Sequence, residues 1–505
     1  MRKDIPLALA ALLTLLLLSV TSCSDNKEKE FNNLIVQLAE KDQTIDSNDW
    51  QKITEFLDQN KAKMRDYFKD GKIDTEEVIE HIKELFGKRR KPMEIQFVGV
   101  GSTKPHLSIK FYLERSGSMT PYDAPDCNGE FKAAIVKLLN RAPGADDEDN
   151  VLFVVNSEVN KYPAGIQHFI KDNNIFMSTK DLGDPSFTDF GLILDEILNK
   201  NKSGELSILV SDMIYSPRNA ADLNPQRIFN SAEGMVNNVF KNQVKSKALL
   251  VLKMMASYSG PYYPYNYQSK GRAYKGNRPY YFLIVGDNAD IARLSTDEKY
   301  ADFIDFKSLV GFESMYLFDA SGVYSPAYSL LLKSKDTRGR FRSSRGQGQQ
   351  ITSLDEVEPD RNSGDIQLAM GVNLENMFID PTYLTDIANY VVESSHPVKI
   401  KAIRPIAETD IDPNQHELKD KFTHVFILTT DKAINNEEVN IKLINKLPGW
   451  VAASSSDDDT NLSSSGFAST TFGLKYIMNG IYDSYKKMSN GSQPVYFTLT
   501  LKINK

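Results

Sequence analysis

Few residues in this 505-residue chain combine the types and the spacing that chemistry needs. The densest set is Leu113-Glu114-Arg115-Ser116-Gly117-Ser118-Met119, a carboxylate and two hydroxyls at alternate positions directly after an apolar run. Carboxylate and hydroxyl oxygens are hard ligands. They suit Mg2+, which keeps some of its waters and demands octahedral geometry. The six histidines (His81, His106, His168, His396, His416, His424) show no zinc-ligand spacing, and no G-x-x-x-x-G-K-[ST] loop is present to hold a nucleotide. Ser116 lacks the flanking glycines of a nucleophile elbow. The chain is therefore expected not to be an enzyme.

A second set is aromatic. Tyr258, Tyr262, Tyr263, Tyr265, Tyr267 and Tyr274 are scattered through a stretch that also holds Gly260, Pro261, Pro264 and Gly271. Gly and Pro at that density exclude a helix and predict an irregular connection. Tyrosine offers large contact area with few rotors to freeze. Tyr258, Tyr262, Tyr263, Tyr265 and Tyr267 are thus expected either to form a recognition surface for protein or sugar, or to pack on a neighbouring domain. The acidic signals are weaker. Asp66, Asp70, Gly71, Ile73, Asp74 and Glu77 fall where the later half of an EF-hand loop would place them, but Phe68 occupies an oxygen-ligand position. Two capped helix starts, at Asp46 and Asp74, account for the same pattern. Asp457-Asp458-Asp459 lies among serines and is expected to be a solvated loop.

At the start of the chain, Arg2 and Lys3 precede an apolar run over 7–20 that is too short to span a bilayer comfortably. The run ends in Val20-Thr21-Ser22-Cys23, with small residues before the cleavage point. This resembles the lipobox of bacterial lipoproteins, which implies a signal peptide over 1–22 and diacylation of the Cys23 thiol. Residues 23–30 are charged and read as a tether, similar to the tract that sends some Gram-negative lipoproteins to the outer surface. The expected place is the outer membrane, facing the periplasm or the cell surface. Hydrophobic residues at 41% and charged ones at 25% describe a globular chain. A net charge of −7 argues against a nucleic-acid partner. Cys127 is left without an intrachain partner, so core burial must hold the fold.

These residues need elements to position them. Residues 31–92 carry apolar side chains at helical spacing (Phe31, Leu34, Ile35, Leu38; Ile53, Phe56, Leu57; Val78, Ile82, Leu85) and predict an α-helical segment. Over 95–325, short runs of Val, Ile and Leu at 107–113, 151–155, 206–210, 248–252 and 280–285 alternate with helical patterns at 131–139, 190–198 and 225–241. That alternation predicts a doubly wound, Rossmann-like α/β domain with a parallel sheet covered on both faces. Residues 333–365, with Arg338, Arg340, Arg342 and Arg345, predict a polar linker or long loop. Residues 366–505 are mostly strands with one helix at 472–485, and predict a β-rich α+β domain. The expected fold class is multidomain: helical segment, central α/β domain, β-rich C-terminal domain.

The strand, the acid-x-Ser-x-Ser turn and the helix that follows resemble the opening of von Willebrand factor A-like (VWA) domains. Two further family elements occur in order: Phe187-Thr188-Asp189 leads into a helix, and Leu209-Val210-Ser211-Asp212 ends a strand. The resemblance covers roughly residues 95 to 320. It implies a metal-ion-dependent adhesion site (MIDAS-like) on the C-terminal edge of the sheet. Ser116, Ser118 and Thr188 would supply neutral oxygens, and Glu114 and Asp212 would act directly or through water on Mg2+ (or Mn2+ or Ca2+). The family's first acid is normally Asp. The extra methylene of Glu114 pushes its carboxylate further in, either to ligate directly or to fill the site. The expected function is a lipid-anchored cell-envelope binding or adhesion-type protein that engages a protein or glycan partner bearing an acidic group. The alternative is a structural scaffold of an envelope assembly with a non-functional metal site.

Overall fold

The computed structural model describes residues 27–39, 44–45, 47–69, 71–89, 93, 95–97, 106–144, 149–217, 220–266, 270–320, 322–345, 350–412, 421–431, 436–489 and 492–504. Cys23 with the whole signal and tether up to residue 26, Asp46, Asp70 and Tyr267 lie outside the described residues. The chain divides into two compact units, Met1–Pro105 and His106–Lys505.

The first unit is helical, as its periodicity predicts. Helices at 27–39, Ser47–Gln59 and Thr75–Gly87 bury Phe31, Ile35, Ile53, Leu57, Val78, Ile82 and Phe86 in one cluster. Asp74 is the N-cap of the third helix, its side chain accepting from Glu77 N at 3.3 Å. That bond satisfies a free helix-end N–H, which is the capping account of this carboxylate.

The second unit is built on a seven-stranded mixed sheet. In chain order its elements are β1 (Ser108–Glu114), α1 (Glu130–Asn140), β2 (Val151–Val155), β3 (Val159–Lys161), α2 (Phe190–Lys200), β4 (Glu205–Ser211), α3 (Pro225–Phe240), β5 (Lys247–Tyr262), β6 (Arg272–Asp287), α4 (Asn288–Thr296) and β7 (Phe312–Phe318). The strand order is β7-β5-β6-β4-β1-β2-β3. Only β4, β1 and β2 run parallel; every other neighbouring pair is antiparallel. Short Val/Ile/Leu runs form the central strands because both faces are covered. Ile109, Phe111 and Leu113 pack with α1 residues Phe131, Ile135 and Leu138 on one face. Tyr112 and Leu209 pack with Ile193, Ile197, Val236 and Phe240 of α2 and α3 on the other.

Three expectations need correction. The sheet is mixed, not parallel, and much of the tyrosine-rich stretch is strand: β5 and β6 are antiparallel and pair residue for residue from Lys247–Asp287 out to Tyr262–Arg272, with Tyr263 and Tyr265 beyond the paired residues. The stretch 333–365 is no solvated linker either. It follows β8 (Tyr328–Leu330) and holds a hairpin of β9 (Arg340–Ser343) and β10 (Ser353–Glu358). The basic residues are matched there: Arg340 with Glu358, Arg342 with Glu356 and Arg338 with Asp365. Finally, the β-rich region does not stand apart as its own compact unit. It adds β11 (Ile366–Val372), β12 (Tyr390–Glu393), β13 (Lys399–Pro405), β14 (His424–Thr430), β15 (Glu437–Ile444), α5 (Leu474–Met488) and β16 (Val495–Ile503). These form a four-stranded sheet, β8-β11-β14-β13, and a five-stranded sheet, β9-β10-β16-β15-β12. Their inner residues, such as Leu368, Met370, Ile441 and Leu499, join the same core as β1. α5 returns to the α/β layers: Ile477, Met478 and Ile481 pack in the cluster that holds α2 and α3. A Cβ at Gly480 would lie 2.5 Å from Glu233 O of α3, so a glycine is what permits this close approach.

Candidate metal centre

β1 and β4 are parallel neighbours, with Leu113 beside Val210, so both strands deliver their last residues to the same edge. Glu114 ends β1 and Asp212 follows β4, and both are 4% exposed. Beyond Glu114 the chain turns sharply, and the Ser116 and Ser118 hydroxyls come within 3.1 Å of each other. Thr188 arrives on the turn before α2, where Asp189 is the N-cap and accepts from Leu192 N at 3.0 Å. Thr188 Oγ1 donates to Glu114 Oε1 at 3.0 Å. The five residues that the resemblance implies as a site are thus brought to one edge of the sheet, from three separate stretches of chain.

Electrostatics there is severe. Burial, then the charge of Asp212, pushes the Glu114 carboxyl well above the usual carboxylate range, against hydrogen bonds from Ser211, Thr188 and Ser116. Burial also raises Asp212, against the Ser118 hydroxyl, the Ile214 N–H and the Arg278 guanidinium. Ile214 N donates to Asp212 Oδ1 at 3.0 Å, and Met213 N to Ser211 Oγ at 2.8 Å. Between them Met213 is held at φ 56° and fully buried. A left-handed non-glycine residue costs on the order of 1 kcal/mol, and such strain clusters at functional sites.

The donor set fits a hard divalent cation. It is all oxygen, it combines two carboxylates with three hydroxyls, and it leaves two acidic groups in a buried place where a cation would relieve their repulsion. Among the described residues no group of three or more His, Cys, Asp or Glu is placed to hold a metal ion, so any such site here leans on hydroxyls. The longer Glu114 side chain reaches Thr188 and ties two of the donors to each other.

Several residues that shape this edge carried no signal in the spacing. Asn156, fully buried after β2, donates from Nδ2 to Leu182 O at 2.9 Å, and its carbonyl accepts from Asp189 N at 3.1 Å, fixing the loop that carries Thr188. Arg278, 2% exposed on β6, lies 4.1 Å over the Phe467 ring and 4.8 Å over Tyr262. An arginine next to the apolar run 279–285 was the available hint. Asp459 corrects the solvated-loop expectation: it is 2% exposed and accepts from Tyr262 Oη at 2.9 Å and Tyr265 N at 3.1 Å. Burial pushes its carboxyl up to about 6 against those bonds.

The tyrosines divide. Tyr258 and Tyr262 are buried, Tyr258 against Tyr122 at 5.0 Å and Tyr262 against Phe467 at 4.8 Å, so neither offers a face to a partner. Tyr265 stacks on Phe472 at 5.1 Å, and Tyr263 and Tyr274 are half-buried. Packing on the neighbouring C-terminal segment explains most of them.

Comparison of the chain with protein-family models, with curated proteins and with solved structures finds no match. Among the described residues no helix is long and apolar enough to cross a membrane.

Proposed function

We propose that this chain is a lipid-anchored envelope protein whose α/β region binds a protein or glycan partner through a divalent cation. The observation that carries the reading is the convergence of Glu114, Ser116, Ser118, Thr188 and Asp212 at the C-terminal edge of adjacent parallel strands. Ser116, Ser118 and Thr188 would hold the cation through neutral oxygens, and Asp212 and Glu114 would supply the charge. The bound ion offers a Lewis-acidic position to an acidic group on the partner. The order β3-β2-β1-β4, with helices on both faces, supports a VWA-like domain; the antiparallel β6 beside β4 departs from a doubly wound parallel sheet. The anchor rests on Cys23 and its preceding residues.

One observation favours a second reading, an envelope scaffold with a closed site. Glu114 already takes the Thr188 hydroxyl as a hydrogen-bond donor, which is how a filled site would look. Calorimetric titration of Mg2+ and Mn2+ into wild type, Asp212→Ala and Glu114→Asp separates the two. Binding in wild type that disappears in Asp212→Ala supports the cation site. Silence in wild type with binding gained in Glu114→Asp supports closure. Mass analysis of membrane-extracted protein, wild type against Cys23→Ser, tests the anchor.

A further inference from the structure

We infer that Tyr263 shields the candidate cation site and decides what reaches it. This rests on the cation reading above. A Cβ at Gly117 would lie 3.0 Å from Tyr263 Cε2, so the phenol ring rests against the backbone between Ser116 and Ser118. The same ring borders Gly271 near the tip of the hairpin, where a Cβ would lie 3.1 Å from Cε1 and Cζ. Neighbouring residues are anchored: Asp459 holds the Tyr262 hydroxyl and the Tyr265 N–H, and Tyr265 stacks on Phe472. The hairpin is also fastened along the segment that follows the Ser116–Ser118 turn. Tyr122 Oη donates to Pro279 O at 2.5 Å, Ser259 Oγ to Asp126 at 2.8 Å, and Lys275 pairs with Asp126 at 2.8 Å. At Gly260 a Cβ would lie 2.9 Å from Pro121. Tyr263 itself is half-buried, and its hydroxyl makes no hydrogen bond to a described residue.

A large ring held this way narrows the approach to the donors on its side. The cation then carries fewer exchangeable waters than an open site would leave it. Ring and turn are close enough that each constrains the other. Gly117 has an ordinary backbone conformation, so Gly117→Ala keeps the turn and presses the ring outward.

The test uses the full chain with Mn2+, counting bound ion by electron paramagnetic resonance and its waters by water-proton relaxation. Tyr263→Ala is expected to raise the relaxation enhancement per bound Mn2+ about twofold as the ion gains exchangeable water. Gly117→Ala should move it the same way, which covers the case of a Tyr263→Ala chain that does not fold. Tyr263→Phe, which keeps the ring, should match wild type. Binding seen in Tyr263→Ala and not in wild type would also support the shield, as a complete one. Unchanged enhancement in both variants, with binding abolished by Asp212→Ala, would overturn the shield and leave the cation reading standing. Mn2+ bound by neither wild type nor Tyr263→Ala would remove the cation reading and the shield with it.

Discussion

Gly183 sits at φ 69° in the loop that leads to Thr188, and a Cβ there would lie 2.2 Å from Asn156 Oδ1. Asn156 has no room to yield, because it is fully buried and bonded to Leu182 O. Gly183→Ala therefore imposes two costs. A side chain in the left-handed region costs about 1 kcal/mol, and breaking a buried hydrogen bond costs about 1–2 kcal/mol more. Urea unfolding should show a loss of about 2–3 kcal/mol. Thr188 moves with this loop, so Mn2+ affinity should fall as well. A variant with wild-type stability and wild-type Mn2+ binding would show that the Thr188 loop is not positioned through Asn156. The same residue explains a blind spot of spacing: nothing around Asn156 marks it, since its role is to hold a backbone carbonyl and an N–H rather than a ligand.

At the level of elements, the short connection from β12 to β13 passes from the five-stranded sheet to the four-stranded one, and it is tied down by Glu437, the first residue of β15. Glu437 accepts from Ser395 N at 2.6 Å and from the Ser395 hydroxyl, and His396 Nδ1 lies 2.5 Å from its Oε2. Burial raises this carboxyl, but the bonds from Ser395, His396 and Ser394 outweigh it and bring it from its ordinary 4.5 down to about 2. A carboxyl depressed by folding stabilises the fold above its unfolded value, and the stability is lost as pH falls through the folded one. Wild type should therefore lose stability between about pH 4.5 and 2, and Glu437→Gln should lose less over that window while starting lower at pH 7, by about 1–3 kcal/mol. Thermal melts at stepped pH check both; parallel pH profiles in the two proteins would show that the latch contributes nothing. Elements of this region also mark how far patterns reach. β1, β2 and β4 were legible because strands buried on both faces read as unbroken apolar runs. The outer half of the β5–β6 hairpin was not, because Gly260, Pro261, Pro264 and Gly271 are turn-like locally, and pairing there is secured by distant partners, Pro121, Asp126 and Asp459. The hairpin at 340–358 was hidden for a related reason: charges that look solvated in sequence pair across its strands.

For the second unit as a whole, the decisive matter is whether the α/β layers can exist without the residues that follow them. Leu474, Ile477, Met478, Ile481 and Tyr485 are all at most 1% exposed on the face of α2 and α3. At roughly 1.5–3 kcal/mol for each buried side chain, their removal would cost on the order of 10 kcal/mol, comparable with the entire stability of a domain. Polar accounting points the same way. Asn445 Nδ2 donates to Leu317 O and Asp319 O, Tyr496 Oη to Leu317 O, and Tyr485 Oη to Lys247 O. Arg278 donates to Phe467 O and covers its ring. Cutting after 325 would leave the ends of β5 and β7 with unsatisfied carbonyls and β6 with a buried, abandoned guanidinium. Sequence motifs place the candidate site wholly within 95–325, yet a fragment 106–325 is expected to be unfolded by circular dichroism and to bind no Mn2+. Residues 106–505 should unfold in one calorimetric transition whose van't Hoff and calorimetric enthalpies agree. A cooperative melt from 106–325 alone would mean instead that the C-terminal region is an independent domain docked on a self-sufficient α/β core. Tyr263, which rests on Gly117 and sits between the Asp459-held Tyr262 and Tyr265, would then transmit the docking of one domain to the site of the other.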